Sequence, residues 1–272
     1  MDLERDYPNA LENSYLGISE GLPKLLEALE DLSIVADFFV SREIVQRFPL
    51  TVGDLEASGH NVGNHGTQHD YLCTLDYSSQ LRDIEESSRA LGEVLTSPPS
   101  TFRAPQFGAD GNTIMVLEKL EYKIDSSVLP GRLVKKRPFG RILDFTRAPR
   151  RVYSPSRQDV SVEDGSSIVE VPLTENPERE GTPIGMGFLN SAGVSATLKV
   201  CKLNRGDYVT FLIHPWECVD LLQSHPDLPG YLANECSSDL SSLRELLERL
   251  SSFGQFVTIP KIVDADGGVG SR

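Results

Sequence analysis

The feature that most limits the fold of this chain is an alternation of short apolar segments with helical segments. Residues 19–31 have apolar positions at helical spacing, residues 33–40 (SIVADFFV) are continuously apolar and β-rich, and residues 77–96 predict an amphipathic helix. Further buried strands are predicted in TFRAP, YKIDSSV, SIVEVPLT and YVTFLIHP. Such an alternation predicts an α/β fold built on a parallel sheet or an α/β barrel.

The second half of the chain is less regular, but it contains no linker that separates two domains. Residues 129–165 are rich in Pro, Gly and Arg and predict a long loop, residues 238–253 predict a helix, and the segment GQFVTIPKIV predicts a closing strand. We therefore expect a single domain over residues 1–265, followed by a flexible tail over residues 266–272.

Charge and hydropathy argue against two classes of partner. The chain has 40 acidic and 26 basic residues, a net charge of −14, whereas general nucleic-acid binders present basic surfaces. No apolar run approaches the ~20 residues of a membrane helix, and the opening MDLERDYPN has neither region of a secretory signal. As written, the sequence predicts a cytoplasmic protein that binds neither nucleic acid nor membrane; its oligomeric state stays open. The four cysteines lie far apart without a CxxC pair, which indicates reduced thiols: Cys73, Cys201, Cys218 and Cys236.

Two of the five histidines lie four residues apart in the segment GHNVGNHGTQH. His65 and His69 can face the same way on a helical turn, where a divalent metal takes neutral imidazoles together with a carboxylate. HxxxH alone is a weak pattern. However, Arg103 comes just after a predicted strand and Asp125 and His214 lie at the ends of two others, and sites in parallel α/β folds form at the carboxyl ends of strands. The sequence therefore predicts that all five side chains belong to one site.

Taken in order, these motifs resemble those of the metal-dependent polysaccharide deacetylases, also called carbohydrate esterase family 4. The resemblance covers roughly residues 1–262 and is carried by DLERD, ADFFVSREI, GHNVGNHGTQH, FRAP, IDSSVLPGR, VEVPLT and LIHPWE. It implies a distorted (β/α) barrel with seven strands. It also implies His65 and His69 as metal ligands beside a first-strand carboxylate, an aspartate of the same strand as general base, and His214 as general acid.

The resemblance implies roles for the residues around these groups as well. Arg103 would hold the base in place, and Asp125 would orient His214 and tune its charge. The backbone N–H of Gln106, directly after Pro105, would help to bind the oxyanion. Many members of the family have an aromatic residue at this position, so Gln106 is a departure that affects substrate contacts.

The sequence leaves the roles of two residues after His214 open. Trp216 either forms a wall of the acetyl pocket or serves packing alone. Glu217 either orients the site or caps a loop.

The first motif, DLERD, departs from the family because Asp2 follows only Met1. A buried barrel strand usually needs about 5–6 residues. We therefore expect a truncated first strand, with an exposed sheet edge and a hole in the core, and a true reading frame that starts upstream of Met1 or a truncated chain. An upstream start would make an extracellular location possible. In the preferred assignment Asp2 is the base and Glu4 the metal carboxylate; in a rival one Asp2 is the ligand, and Asp6 is a third candidate.

A strongly basic stretch lies within this acidic chain, at residues 132–157. Such charge runs usually form solvated surfaces. The sharper hypothesis is a groove for an anionic sugar, with Tyr153 or Phe139 stacking on its rings.

The function that the resemblance implies is hydrolysis of a non-peptide C–N bond, namely N-deacetylation of an amino sugar or polysaccharide by a metal-activated water. Zn²⁺ is the first candidate for the metal, followed by Co²⁺, Ni²⁺ or Mn²⁺. Two alternatives stay open: hydrolysis of a small non-sugar amide on the same fold, and a catalytically inactive carbohydrate-binding homologue if the first-strand carboxylates are missing.

Overall fold

The computed structural model describes residues 1–266 except residues 9, 68, 137–139 and 205. The tail predicted at residues 266–272 therefore lies outside the described residues apart from Asp266, and so does Phe139. Within the described ranges, no helix has the length and apolar character needed to cross a membrane.

Short strands form the centre of the molecule. In chain order they are β1 (Asp2–Leu3), β2 (Asp37–Val40), β3 (Asn61–Asn64), β4 (Thr101–Phe102), β5 (Ile124–Asp125), β6 (Leu133–Lys136), β7 (Gly140–Asp144) and β8 (Val169–Glu170). Six of them make one parallel sheet in the order β1–β2–β3–β4–β5–β8. The α/β class predicted from the alternation is confirmed.

Helices cover this sheet. Those of the described residues are α1 (Leu22–Asp31), α2 (Arg42–Arg47), α3 (Pro49–Ala57), α4 (Tyr77–Gly92), α5 (Gly111–Lys119), α6 (Met186–Ala192), α7 (Val194–Leu203), α8 (Leu221–Ser224), α9 (Ser241–Ser251) and α10 (Ile259–Ala265). In α9, Leu243, Leu246 and Leu247 recur at helical spacing and are buried against Leu25 of α1 and Phe38 of β2. This burial explains why α9 was predictable from its apolar pattern.

The sheet curves toward a barrel without closing through regular strands. Residues 208–215, predicted as a strand, make irregular bridges instead: Ile213 O accepts the N–H of Asp2 at 3.1 Å, and Leu212 N–H donates to Ile184 O at 2.9 Å. Residues 210–213 thus connect β1, at one edge of the sheet, with the chain that follows β8 at the other edge. Their arrangement places His214 beside the end of β1.

Two further predictions of local structure were wrong. Residues 129–165 are not one long loop, because β6 and β7 pair as an antiparallel hairpin with a register shift between Val134 and Lys135. The closing segment forms the helix α10 rather than a strand. Its β-branched residues favour a strand by propensity, but Ile259, Ile262 and Val263 lie at helical spacing and pack against the core.

The first strand has only two residues, and a cavity of about 1540 Å³ lies beside it. Its wall includes Met1, Ala36 and Phe211. The terminal ammonium of Met1 donates to Asp37 O at 2.6 Å, and burial lowers the pKa of this amine to about 6. The expected exposed sheet edge is not observed, because the N–H of Asp2 on the outer side of β1 donates to Ile213 O at 3.1 Å.

Candidate active site

Polar side chains from four parts of the chain meet at the carboxyl ends of the parallel strands. Asp2 and Glu4 are two residues apart, so they point to the same side of β1 while Leu3 points into the core. His65 directly follows β3 and Arg103 directly follows β4, and their backbones pair with the neighbouring strand ends: His65 N–H donates to Val40 O, and Arg103 N–H donates to Asn64 O. The parallel register therefore brings these residues together.

The two imidazoles of the HxxxH motif face Glu4. Nε2 of His69 lies 3.0 Å from Glu4 Oε2, and Nε2 of His65 lies 3.8 Å from the same oxygen. Nδ1 of His65 lies 2.7 Å from the carbonyl of Arg103. Since a carbonyl can only accept, Nδ1 carries the proton and Nε2 presents its lone pair to the carboxylates. Burial lowers the pKa of His65, which keeps the ring neutral as a metal ligand requires.

These donors fit a divalent ion. No group of three or more His, Cys, Asp or Glu side chains in the described part of the chain already has the arrangement of a metal site. However, ligand atoms ~2.0–2.1 Å from a tetrahedral zinc lie roughly 3.3 Å from one another, and the separations of 3.0 and 3.8 Å bracket that value. Glu4 Oε2 is also buried without a hydrogen-bond partner among the described residues. A small adjustment of Glu4, His65 and His69 would therefore accommodate the ion.

Arg103 holds the carboxylate of Asp2. Its Nη1 donates to Asp2 Oδ1 at 2.8 Å, its Nε and Nη2 donate to Ser126 at 2.9 and 3.0 Å, and its guanidinium lies 4.1 Å from the centre of the Phe39 ring. Burial raises the pKa of Asp2, but the charges of Arg103 and His65 outweigh it and hold this pKa well below its usual range. Asp2 is therefore an anion with one free oxygen, Oδ2, which lies 3.9 Å from His65 Nε2.

The three candidate carboxylates of the first motif occupy different positions. Glu4 is the closest to both imidazoles, whereas Asp2 lies between Arg103 and the histidines, as in the preferred assignment. Asp6 does not join the cluster, because it accepts hydrogen bonds from Ser14 Oγ and from the backbone N–H groups of Leu16 and Gly17 at 2.6–2.8 Å. Its role is to hold the turn at Gly17–Gly21. Two carboxylates, Asp2 and Glu4, are thus present at the site.

His214 faces these carboxylates from the opposite side. Its Nε2 lies 3.7 Å from Glu4 Oε1 and 4.0 Å from Asp2 Oδ2. Its Nδ1 lies 3.2 Å from Glu217 Oε2, and its ring stacks on Trp216 with centroids 5.1 Å apart. Burial lowers the pKa of His214, but Glu217, Glu4 and Asp2 more than compensate and raise it to about 9. The ring therefore holds a proton near neutral pH.

The structure does not bring Asp125 to His214, as the resemblance had implied. Asp125 lies on β5 in register with Glu170 of β8, and both are fully buried. Its Oδ1 accepts from Ser127 Oγ at 2.5 Å, and its carboxyl group pairs with that of Glu170. The carboxylate beside His214 is instead Glu217, three residues along the same turn. The spacing in HPWE is the only sequence signal of this contact.

The turn after β4 has an unusual backbone. Gln106 and Phe107 both have positive φ angles, 55° and 60°, a region that non-glycine residues rarely adopt and that is often found at functional sites. Nε2 of Gln106 donates to the carbonyl of His69 at 2.8 Å. The side chain that departs from the family pattern therefore connects the turn at Pro105–Phe107 to the second histidine of the motif.

Several exposed arginines of the described part of the basic stretch are paired with carboxylates, which does not favour the predicted anion-binding groove: Arg151 with Glu163 at 2.6 Å and Arg157 with Glu118 at 2.7 Å. Tyr153 is fully buried and donates to Val160 O at 2.6 Å, so it cannot stack on a ligand. The arginines neutralise local acidic residues of the chain instead.

Comparisons with known proteins agree with this geometry. The family model described as polysaccharide deacetylase matches residues 12–124. The chain is 29% identical over 230 residues to the peptidoglycan deacetylase-like protein FGM2 of Gibberella zeae, covering 77% of this chain and 65% of that protein. It is 28% identical over 86 residues to the peptidoglycan-N-acetylglucosamine deacetylase of Bacillus cereus, covering 32% and 31%. The crystal structure of PuuE allantoinase superposes with a TM-score of 0.59 at 16% identity, covering 92% of this chain and 72% of that one.

The alignments span less than two thirds of the length of these two curated relatives. The family match includes His65, His69 and Arg103 but begins after Asp2 and Glu4, and the superposition on the allantoinase structure covers nearly the whole chain. Over residues 12–124, and in its parallel α/β fold, the chain is therefore similar to the polysaccharide deacetylases.

Proposed function

We propose that this protein is a metal-dependent hydrolase that removes acetyl groups from N-acetylated amino sugars, either in polysaccharides or in their oligomers. The observation that carries the proposal is the convergence of the imidazoles of His65, His69 and His214 on the carboxylates of Asp2 and Glu4. Deacetylase relatives, one of them named for peptidoglycan N-acetylglucosamine, support the substrate class.

Glu4, His65 and His69 would hold the metal, for which zinc is the first candidate. When bound, such an ion supplies polarisation of the acetyl carbonyl and lowers the pKa of a water molecule toward ~7. The hydrogen bond from His65 Nδ1 to Arg103 O keeps the ligating nitrogen aimed at the site.

Asp2 is the general base of the proposed reaction. Its Oδ2 is free to accept a proton from the attacking water, because Arg103 occupies Oδ1. Removing that proton makes the water a better nucleophile toward the acetyl carbon. The N–H of Gln106 is the proposed donor to the oxyanion that develops, and one such donor contributes about 3–4 kcal/mol in comparable hydrolases.

His214 is the proposed general acid. Its Nε2 faces the carboxylates across the cleft, and it gives its proton to the amine that leaves the acetyl carbon. A positioned acid typically contributes a factor of ~10²–10⁴ to the rate. Trp216 stacks on the same ring and limits its rotation.

Acetate release and metal content test the proposal together. The purified protein is incubated with N-acetylglucosamine oligomers and with peptidoglycan fragments, and elemental analysis counts the bound ions. We expect acetate release with about one ion per chain, loss of both after chelation, and recovery on adding Zn²⁺. His69→Ala should lose both properties, whereas His225→Ala, a histidine outside the cluster, should keep them. Full activity in protein shown to be metal-free would overturn the metal dependence, and no acetate from any N-acetylated sugar would overturn the function.

A small cyclic amide is the second candidate substrate. The observation that favours it is the superposition on PuuE allantoinase at a TM-score of 0.59. Opening of a cyclic amide releases no acetate, so turnover of allantoin or a cyclic imide in the absence of acetate release would favour this second function.

A further inference from the structure

We infer that Glu217 is the positioning residue of His214: it fixes the orientation and the tautomer in which His214 protonates the leaving amine. The inference rests on the proposed function, since it assigns a role within that reaction. The family resemblance implied that Asp125 orients His214. In the structure, the carboxylate beside His214 is that of Glu217, which lies on the same turn.

Both carboxylate oxygens of Glu217 are held in place. Oε2 accepts the backbone N–H of His214 at 2.7 Å and lies 3.2 Å from Nδ1 of its ring, and Oε1 accepts the N–H of Gly187 at 2.9 Å. The side chain is buried, with 8% of its surface exposed. A side chain at position 187 would crowd this contact, because a Cβ there would lie 3.2 Å from Oε1. The carboxylate therefore cannot turn away from the imidazole without losing hydrogen bonds.

This arrangement determines which nitrogen faces the substrate. An ionised carboxylate only accepts hydrogen bonds, so Nδ1 must carry a proton as it faces Glu217. Nε2 is then the atom that faces Asp2 and Glu4 across the cleft. A general acid that gives a proton from Nε2 needs this orientation before and after the transfer, and a buried carboxylate on Nδ1 maintains it.

The backbone of the HPWE turn, His214–Glu217, is also held from the opposite side. A Cβ at Gly17 would lie 2.4 Å from Trp216 N, and one at Gly21 would lie 2.2 Å from Pro215 O, so only glycines allow this close approach. Glu217 O also accepts the N–H of Ser237 at 3.0 Å. The turn is thus clamped between two parts of the chain, which lets Glu217 transmit a fixed position to the ring.

Asp125 is not available for the same role. Its carboxyl group is occupied by Ser127, two residues along the chain, and by Glu170 on the neighbouring strand β8. No other carboxylate of the described residues is recorded within 4 Å of Nδ1 of His214. The geometry therefore assigns the positioning of His214 to Glu217 alone among the described acidic residues.

Leaving-group dependence separates a positioning role from a merely structural one. An acetamide needs protonation of its leaving amine, whereas the phenolate of 4-nitrophenyl acetate leaves without it. We expect Glu217→Gln to lower kcat for N-acetylglucosamine oligomers by about 10–100-fold, with little change in KM and little change in 4-nitrophenyl acetate hydrolysis. Glu235→Gln, a neighbouring carboxylate without contact to His214, is the matched control and should keep the wild-type ratio of the two rates.

A second measurement is independent of turnover. The Nδ1–H proton of His214 should give a downfield NMR signal in the wild type, identified by its loss in a His214 variant. This signal should shift or disappear in Glu217→Gln and persist in Glu235→Gln. Should Glu217→Gln fail to fold, Glu217→Asp retains the charge at a displaced position and should give an intermediate ratio and a shifted signal.

The outcomes distinguish a failure of the proposed function from a failure of the role inferred for Glu217. A wild-type protein without activity on either acetyl substrate overturns the proposed function. An active wild type whose Glu217→Gln or Glu217→Asp variant loses both activities in equal proportion, or keeps the wild-type ratio and signal, overturns the inference and leaves the proposed function standing.

Discussion

Two pairs of buried acidic residues at the same parallel sheet have pKa values shifted in opposite directions. Asp2 and Glu4, at the end of β1, face Arg103 and the histidines, and their pKa values are lowered. Asp125 and Glu170, side by side on β5 and β8, face each other, and burial raises both pKa values, that of Asp125 to about 6.

Burial is the largest influence on all four carboxyl groups, and in each case it raises the pKa. The opposite directions of the pKa shifts therefore come from the group that lies beside each carboxylate. A cation or a neighbouring imidazole favours the charged form, whereas a second carboxyl group favours the protonated form. Asp2 and Glu4 are therefore suited to catalysis, because only an ionised carboxylate can bind a metal or accept a proton.

The largest loss of stability is expected from removing the guanidinium of Arg103, the cation that lies beside Asp2. Arg103→Met leaves the buried carboxylate of Asp2 without its counter-charge, and breaking a buried pair in this way costs about 3–5 kcal/mol. Urea denaturation at pH 7 measures the loss. Arg103→Lys is the matched control and should lose less, since it keeps the charge. A loss below about 1 kcal/mol in Arg103→Met would show that Asp2 does not depend on Arg103.

A smaller change in stability, with a defined pH dependence, is expected from the pair Asp125 and Glu170. Because the folded pKa of Asp125 is raised from 3.8 to about 6, the unfolded chain releases its proton first, and stability falls as pH rises from about 4 to about 6. The loss is on the order of 2–3 kcal/mol at full burial. Glu170→Gln removes the like-charged neighbour and should reduce this loss.

Urea midpoints of the wild type and of Glu170→Gln, taken from pH 4 to pH 8, check this sign. A pH dependence that is the same in both proteins would show that the two carboxyl groups do not share a proton. Glu163→Gln, an exposed carboxylate paired only with Arg151, serves as the control.

The smallest effect is expected at Ser126, which connects the two regions. Its hydroxyl accepts from Arg103 Nη2 at 3.0 Å and donates to Val171 O at 2.8 Å. Ser126→Ala removes both bonds and should cost about 1–2 kcal/mol, with a decrease in activity because Arg103 is less firmly held. Unchanged stability with unchanged activity would mean that the backbone carbonyl of Ser126 is sufficient.

Much of the fold follows from local patterns in the sequence. α4 and α9 have apolar residues at helical spacing, and β2 is a short apolar run, so each could be predicted without knowledge of its neighbours. The prediction was wrong where packing overrode propensity, as in α10, where β-branched residues form a helix whose apolar face is buried. The hairpin of β6 and β7 was missed because charged residues interrupt its alternation.

Some features of the site could likewise be predicted from the sequence, and others could not. The positions of His65, Arg103 and His214 at strand ends were enough to predict that they meet at one sheet edge, because parallel strands end on the same side; Asp2 was predicted from the family resemblance. Spacing was not enough to choose the partner of His214, since Asp125 and Glu217 both follow predicted strands.

The sequence by itself predicted the α/β class of fold and the resemblance to the polysaccharide deacetylases, because these depend on local periodicity and on the order of motifs. Only the tertiary structure decided that Glu4 is nearest to both imidazoles, that Asp6 holds a turn, and that Glu217 rather than Asp125 contacts His214. These choices depend on distances of a few ångströms between side chains far apart in the chain. The charge state of a buried carboxyl group depends on those distances and not on its place in a motif.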